Sequence, residues 1–221
     1  IPSFYGGSLF VQFAEQGEMN EYTIKYLKYA LFAEGEVELE ASTKYNDIGL
    51  DWENPENLNK SRLYEPNIGW LWDGKQNAEG ISWGGCVESI DELLRHDVDI
   101  PSLSDFENIV LLTETSEEIP SSSYVRRVYR ALGERGILKR VKGLLVGRAK
   151  AWEFDKQNNI EQKETYRKQQ REMVLEIVRK YNSKIPIVQN FDFGHTDPQI
   201  PMPYGSKIRI DTQNYKIFAN F

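Results

Sequence analysis

From about residue 76 onward the chain repeats one pattern: a short, wholly apolar run, a turn, and a segment with apolar residues at helical spacing. Ile109 to Leu112, Gly143 to Gly147 and Ile185 to Val188 are too short for buried helices and lack the alternation of half-exposed strands. They read as strands covered on both faces. Between them, Val87, Ile90, Leu93 and Leu94 share one side of a helix, and Ser121-Ser122-Ser123 caps a second whose Val125, Val128, Tyr129 and Leu132 face inward. Met173, Val174, Ile177 and Val178 mark the second half of Lys156 to Tyr181 as a third, amphipathic helix. Gln76 to Trp83 is expected to be the first strand, with Gly84-Gly85 as a tight turn whose N–H groups can face an anion. Lys207 to Asp211 and Tyr215 to Ala219 close the chain as a hairpin. Parallel neighbours need helical crossovers of this kind, so the fold class is α/β with a partly parallel sheet.

Ahead of that unit the pattern loosens. Tyr22 to Phe32 has helical spacing, Val37 to Ala41 alternates apolar and acidic residues as a half-exposed strand does, and Asn46 to Asn67 is polar and aperiodic. A loop of that length in a compact domain is usually a functional lid or a linker. It carries Trp52 and runs into Trp70 and Trp72.

Composition removes several function classes. Lys and Arg number 27 against 34 Asp and Glu, and the net charge of −7 leaves no basic footprint for nucleic acid. The apolar runs fall far short of the roughly 20 residues of a membrane-spanning helix. Two distant histidines and one cysteine offer no metal-ligand spacing, so no metal or other cofactor is expected. One cysteine also allows no internal disulfide and fits a reducing compartment, which makes the cytoplasm the expected location. Ile1-Pro2 opens the chain without a methionine, and the expectation is a piece of something longer.

Open α/β sheets carry their sites at the carboxyl ends of buried strands. His195, in Phe193-Gly194-His195-Thr196-Asp197-Pro198, follows the run Ile185 to Val188; Gly194 permits a tight turn and Pro198 stiffens its exit. Glu114 follows Ile109 to Thr113 in the same way. A carboxylate that accepts the Nδ1 proton of a histidine fixes its tautomer and stabilises the imidazolium, which is the orienting half of a hydrolytic triad. Spacing alone leaves plainer roles open, His195 as a structural loop contact and Glu114 as one acid in the solvated run Glu114 to Glu118.

Four stretches in register narrow the choice: Trp83-Gly84-Gly85-Cys86-Val87-Glu88, Leu112-Thr113-Glu114-Thr115-Ser116-Glu117-Glu118, Gly143-Leu144-Leu145-Val146-Gly147-Arg148 and Phe193 to Pro198. Together they closely resemble the carboxyl-terminal part of the LD-carboxypeptidase family, and most of all its microcin C self-immunity branch. Phe4-Tyr5-Gly6-Gly7-Ser8-Leu9 and Glu65-Pro66-Asn67-Ile68-Gly69-Trp70 resemble the family's middle region, so the likeness covers nearly the whole chain. It implies a swivelling β/β/α-like carboxyl-terminal domain over residues 76–221. Residues 1–34 would end an amino-terminal nucleophile domain and its connecting helix, and 35–75 would be a linker and substrate loop. The implied activity is that of a cytoplasmic serine peptidase with a Ser-His-Glu triad, often a homodimer. It would act on L,D-peptide bonds of murein peptides or on the amide of aminoacyl nucleotides.

Carried over residue by residue, the resemblance makes His195 the general base and Glu114 its orienting carboxylate. Glu88 is a competing acid, ranked as a substrate or structural contact beside Trp52, Trp70, Gly84 and Gly85 as substrate-binding residues. Two departures stand out. Ile200-Pro201-Met202-Pro203 replaces the family's usual Leu-Pro, and Lys156 to Tyr181 is longer than in murein enzymes, which favours the immunity branch. The family's serine follows a Gly-Gly pair and an Asn in the amino-terminal domain, and no such stretch occurs here. Ser8 follows Gly6-Gly7 but reads as a strand-end residue, and there is no Gly-x-Ser-x-Gly elbow. The chain is thus expected to supply base and acid to a partner domain's serine and to be inactive alone. Two rivals stay open. Cys86, at an expected helix start that would lower its pKa, is either a nucleophile or a small packing residue. Alternatively, the chain is a non-catalytic binding module in which Trp52, Trp70 and Trp72 stack on a nucleotide and Gly84-Gly85 holds its carboxylate or phosphate.

Overall fold

In the computed structural model, which describes residues 3–221, the chain begins with β1 (Ser3–Tyr5), α1 (Glu21–Phe32), β2 (Glu36–Leu39), β3 (Lys44–Tyr45), β4 (Glu65–Pro66) and β5 (Leu71–Asp73). It continues through β6 (Ala78–Cys86), α2 (Val87–His96), β7 (Ile109–Glu114), α3 (Ser122–Glu134), β8 (Gly143–Gly147) and α4 (Ile160–Tyr181). It ends with β9 (Ile187–Phe191), β10 (Met202–Tyr204), β11 (Lys207–Asp211) and β12 (Lys216–Asn220). Eight strands form one sheet in the order β2-β12-β11-β6-β7-β8-β9-β5. β6 to β9 are parallel and antiparallel strands flank them on both sides, so the sheet is partly parallel as the sequence pattern requires. Alternation sorts the buried runs between two cores. Leu111, Leu144 and Ile187 join the core under α2, α3 and α4, while Val110, Leu112, Leu145 and Val188 join the opposite core with Tyr26 of α1.

Local signals explain where the helices begin. Ser121 accepts a hydrogen bond from the Tyr124 N–H to start α3, and Asn159 with Gln162 forms a reciprocal capping box on α4. α4 is helical over all 22 residues, although apolar spacing marks only its second half. Its first half buries Lys163 and Arg167, both paired with Asp47, so the inward face there is charged and invisible to hydropathy. The 46–67 segment is fixed in similar fashion. β3 pairs with β4, Pro55–Asn59 makes a short 3-10 turn, and Asn46 bridges Asp197 through both backbone groups at 2.7 and 2.8 Å. Among the described residues, no helix is long and apolar enough to cross a membrane.

Gly84 and Gly85 correct the expectation of a turn. Both lie inside β6, at φ +137° and +142°. A Cβ on Gly84 would sit 1.9 Å from the Leu112 carbonyl oxygen, so glycine is what lets β6 approach β7. The Tyr5 ring lies over Gly85, 3.2 Å from where a Cβ would be. The pair therefore serves close strand packing, and protein already covers it. Gly84→Ala should lower the unfolding free energy by about 3 kcal/mol or more, from backbone strain added to overpacking. Gly69→Ala, at φ +81° with no neighbour in the way, should lose only about 1–2 kcal/mol. Urea denaturation of the two variants checks the contrast.

Candidate active site

β7 ends at Glu114, whose side chain is fully buried, and the loop after β9 brings His195 over it. The imidazole Nδ1 lies 2.7 Å from Glu114 Oε2, and the Tyr5 phenol donates to Glu114 Oε1 at 2.8 Å. Both carboxylate oxygens are thereby satisfied. Two glycines make room for this. A Cβ on Gly194, at φ +104°, would lie 2.5 Å from Glu114 Oε2, and one on Gly147 would lie 2.6 Å from Glu114 Cβ.

Buried charges hold the histidine loop on either side of His195. Asp192 accepts hydrogen bonds from the Ser42 N–H at 2.9 Å and hydroxyl at 2.6 Å, from Trp70 Nε1 at 2.9 Å and from Arg148 Nη2 at 2.6 Å. Arg148 also donates to the Thr196 hydroxyl at 3.1 Å. Asp197 accepts from Gln12 at 2.5 Å and from Arg62 at 2.7 Å. Removing one partner of such a buried pair costs roughly 3–5 kcal/mol, which is enough to keep the loop in one geometry.

Opposing effects set the charge of His195. Burial acts most strongly and disfavours the imidazolium. The Glu114 hydrogen bond and charge, joined by Glu117 at 2.9 Å from Nε2, outweigh it and hold the pKa above the ordinary 6.5. Among the described residues, no hydroxyl or thiol hydrogen-bonds the imidazole.

The other expected site residues fall in different places. Cys86 Sγ donates to Glu88 Oε2 at 3.1 Å. Burial first, then the charges of Glu114 and Glu88, pushes the thiol up to about 12. Burial and the two neighbouring carboxylates thus act against a thiolate at Cys86. Glu88 accepts from the Ser116 hydroxyl at 2.7 Å and N–H at 3.2 Å, which fastens the loop after β7 to the first turn of α2. The Trp70 ring packs on Phe191 with centroids 4.5 Å apart, Trp72 meets Tyr215 from the edge strand, and Trp52 is 47% exposed. Two of the three tryptophans are thus engaged in packing. Ser8 lies beyond β1 and precedes the helical turn Leu9–Phe13, which corrects its assignment to a strand end.

Sequence spacing missed Tyr5, Glu117, Arg62, Arg148 and Asp197. Tyr5 stands in a stretch already singled out, yet 109 residues separate it from Glu114 and no local pattern joins them. Among the described residues, no group of His, Cys, Asp and Glu is suited to hold a metal ion.

A buried carboxylate at a strand's carboxyl end, hydrogen-bonded to the Nδ1 of a histidine, has the geometry of the orienting half of a hydrolytic triad, here on an α/β fold. The chain belongs to the LD-carboxypeptidase family, since residues 79–210 match that family's C-terminal domain. It is 23% identical over 217 residues to the microcin C7 self-immunity protein MccF of Escherichia coli, covering 97% of this chain and 58% of that protein. An MccF-like protein from Streptococcus pneumoniae, solved in complex with AMP, matches with a TM-score of 0.83 at 29% identity, over 100% of this chain and 64% of the other. MccF in complex with aspartyl sulfamoyl adenosine matches in fold with a TM-score of 0.78 at 20% identity, over 100% of this chain and 61% of the other. The chain therefore spans about three-fifths of the length of these relatives.

Because folding favours the charged imidazole, the pair contributes stability that is fully present below pH 6.5 and is lost as the pH rises through the higher folded value. An NMR titration of the His195 ring should give a midpoint above 6.5, and Glu114→Gln should bring it down; an unmoved midpoint would contradict the pairing. At pH 8 the Cys86 thiol should react slowly with a disulfide reagent in the folded chain and rapidly in urea.

Proposed function

We propose that this chain is the acid–base part of a serine peptidase of its family, working with a serine supplied by an amino-terminal domain. The 2.7 Å contact from Nδ1 of His195 to buried Glu114 carries this reading; among the described residues Nε2 meets only the exposed Glu117 carboxylate, which a serine hydroxyl would displace. His195 takes the proton of the serine hydroxyl as that oxygen attacks the scissile carbonyl, and Glu114 steadies the imidazolium. The same proton passes to the leaving amine, and water then hydrolyses the acyl-enzyme by the reverse transfers.

The substrate is an aminoacyl nucleotide in first place and a murein peptide with an L,D-bond in second. The complexes of the relatives with AMP and aspartyl sulfamoyl adenosine, and the length of α4, support that order. Residues 1–34 end the nucleophile domain and its connecting helix, 35–75 form the linker and substrate loop, and 76–221 carry the acid and base. Leu9, Phe10 and Phe32, exposed by 71, 72 and 79%, favour further protein covering that end of the molecule. Exposed Trp52 is the best placed of the tryptophans to meet substrate, and Glu88 acts mainly by holding the Ser116 loop. The cytoplasm is the proposed site of action, and a homodimer the proposed assembly.

Hydrolysis of an aminoacyl sulfamoyl adenosine and of an L,D-tetrapeptide by this chain, with and without a separately expressed amino-terminal domain, tests the reading. Activity is expected only after the addition. In the longer protein, His195→Ala or Glu114→Gln should cut kcat by about 10³-fold or more with the fold retained, and Glu88→Gln should do less. Ordinary turnover in either of the first two would refute the assignment.

A further inference from the structure

A pocket of about 350 Å³ opens between residues 66–68 and the first half of α4. Arg148, just past β8, and Asn190, within β9, form its floor, so it lies at the carboxyl end of the parallel strands, where such sheets receive ligands. Three guanidinium groups line it. Arg148 is paired with Asp192, and Arg167 with Asp47, each carboxylate fully buried.

Arg171 differs from both. It is half-buried, and among the described residues its guanidinium has neither a hydrogen-bond nor an ion-pair partner. Burial and then the charge of Arg167 press its pKa below the usual arginine value, while Glu172 and Glu164 act only at a distance. A guanidinium so placed presents a planar fork of donors matched to the two oxygens of a carboxylate or phosphate.

The pocket walls are set in advance. Asn190 has φ +61° inside β9, next to the irregularity in the β8–β9 register. Bulged residues with positive φ are costly, and they re-aim side chains near sites. Here the Asn190 Oδ1 accepts from Arg148 Nε at 3.2 Å, and its amide donates to Asn67 Oδ1 at 2.9 Å and the Gly69 carbonyl at 2.8 Å. One strained residue thus holds both Arg148 and the opposite wall. Glu161 and Glu164 line the mouth but are exposed, where water screens them. They disfavour an extended polyanion more than a compact group that passes between them.

We propose that this pocket binds a small oxyanion, a phosphate or carboxylate group, on the Arg171 guanidinium with Arg148 and Arg167 behind it. Binding needs no turnover, so its test is independent of the proposed peptidase activity. Thermal shift and calorimetric titration of this chain with inorganic phosphate and with acetate, at constant ionic strength, provide that test. Saturable binding of phosphate with a rise in Tm is expected, and Arg171→Gln should weaken it about tenfold or more. Arg171→Lys, which keeps the charge but not the fork, should fall between the two. Lys180→Gln, on the same helix outside the pocket, should bind as the parent chain does. Acetate saturating alongside phosphate would make the site a general carboxylate and phosphate receptor, and phosphate alone would make it phosphate-specific. No saturable binding of either anion up to about 20 mM would overturn the proposal, as would equal binding by a folded Arg171→Gln chain.

Discussion

Glu114 ends a central parallel strand with its side chain fully buried between a histidine and a tyrosine. A carboxylate in that position is stable only if both oxygens are satisfied, and His195 and Tyr5 each take one. To bring those two groups in, the histidine loop must cross directly over the strand ends. That demand fixes residues with no chemistry of their own. Gly147 and Gly194 are glycines because a methyl group on either would strike the Glu114 side chain, and Gly84 is one because β6 must approach β7 equally closely. The Glu114–His195 pair and the tight packing of the sheet's central strands are one constraint.

A second layer of buried charge holds the pieces around that pair. Arg148 with Asp192, Arg62 with Asp197, and Arg167 and Lys163 with Asp47 join segments remote in sequence. None of these pairs is a strong source of net stability, since desolvation consumes much of the attraction. What they supply is geometry. An aperiodic stretch such as 46–67 has few apolar residues to bury, and buried ion pairs select one conformation for it where a core would otherwise do so. Asp192 and Asp47 are taken by Arg148 and Arg167, and Arg171 beside them has no ion-pair partner among the described residues.

Much of the framework was legible from residue order. The runs Ile109 to Leu112 and Gly143 to Gly147 became β7 and β8, the Ser121 cap began α3, and the final hairpin formed where alternation placed it. In each case the signal and its cause lie within a few residues of one another. Glu114 and His195 were legible because strand ends are recognisable, and their direct contact agrees with that position. The failures share another cause. Gly84-Gly85 carried a turn signal but was needed for close approach to Leu112, a partner no local window contains. The first half of α4 lacked an apolar stripe because its inward face pairs with Asp47, more than a hundred residues earlier.

The sequence by itself determined the class of fold, the alternation of strands and helices from β6 to β9, and the two strand ends at which a titratable pair sits. Those follow from periodicity, capping and burial, which act over one element at a time. Only the tertiary structure decided that Tyr5 takes the second Glu114 oxygen, that Asp192 and Asp197 hold the histidine loop, and that Arg171, without a partner among the described residues, lines a pocket. Hydrogen bonds and ion pairs act within a few ångströms whatever the separation along the chain, so their partners are set by how the elements come together.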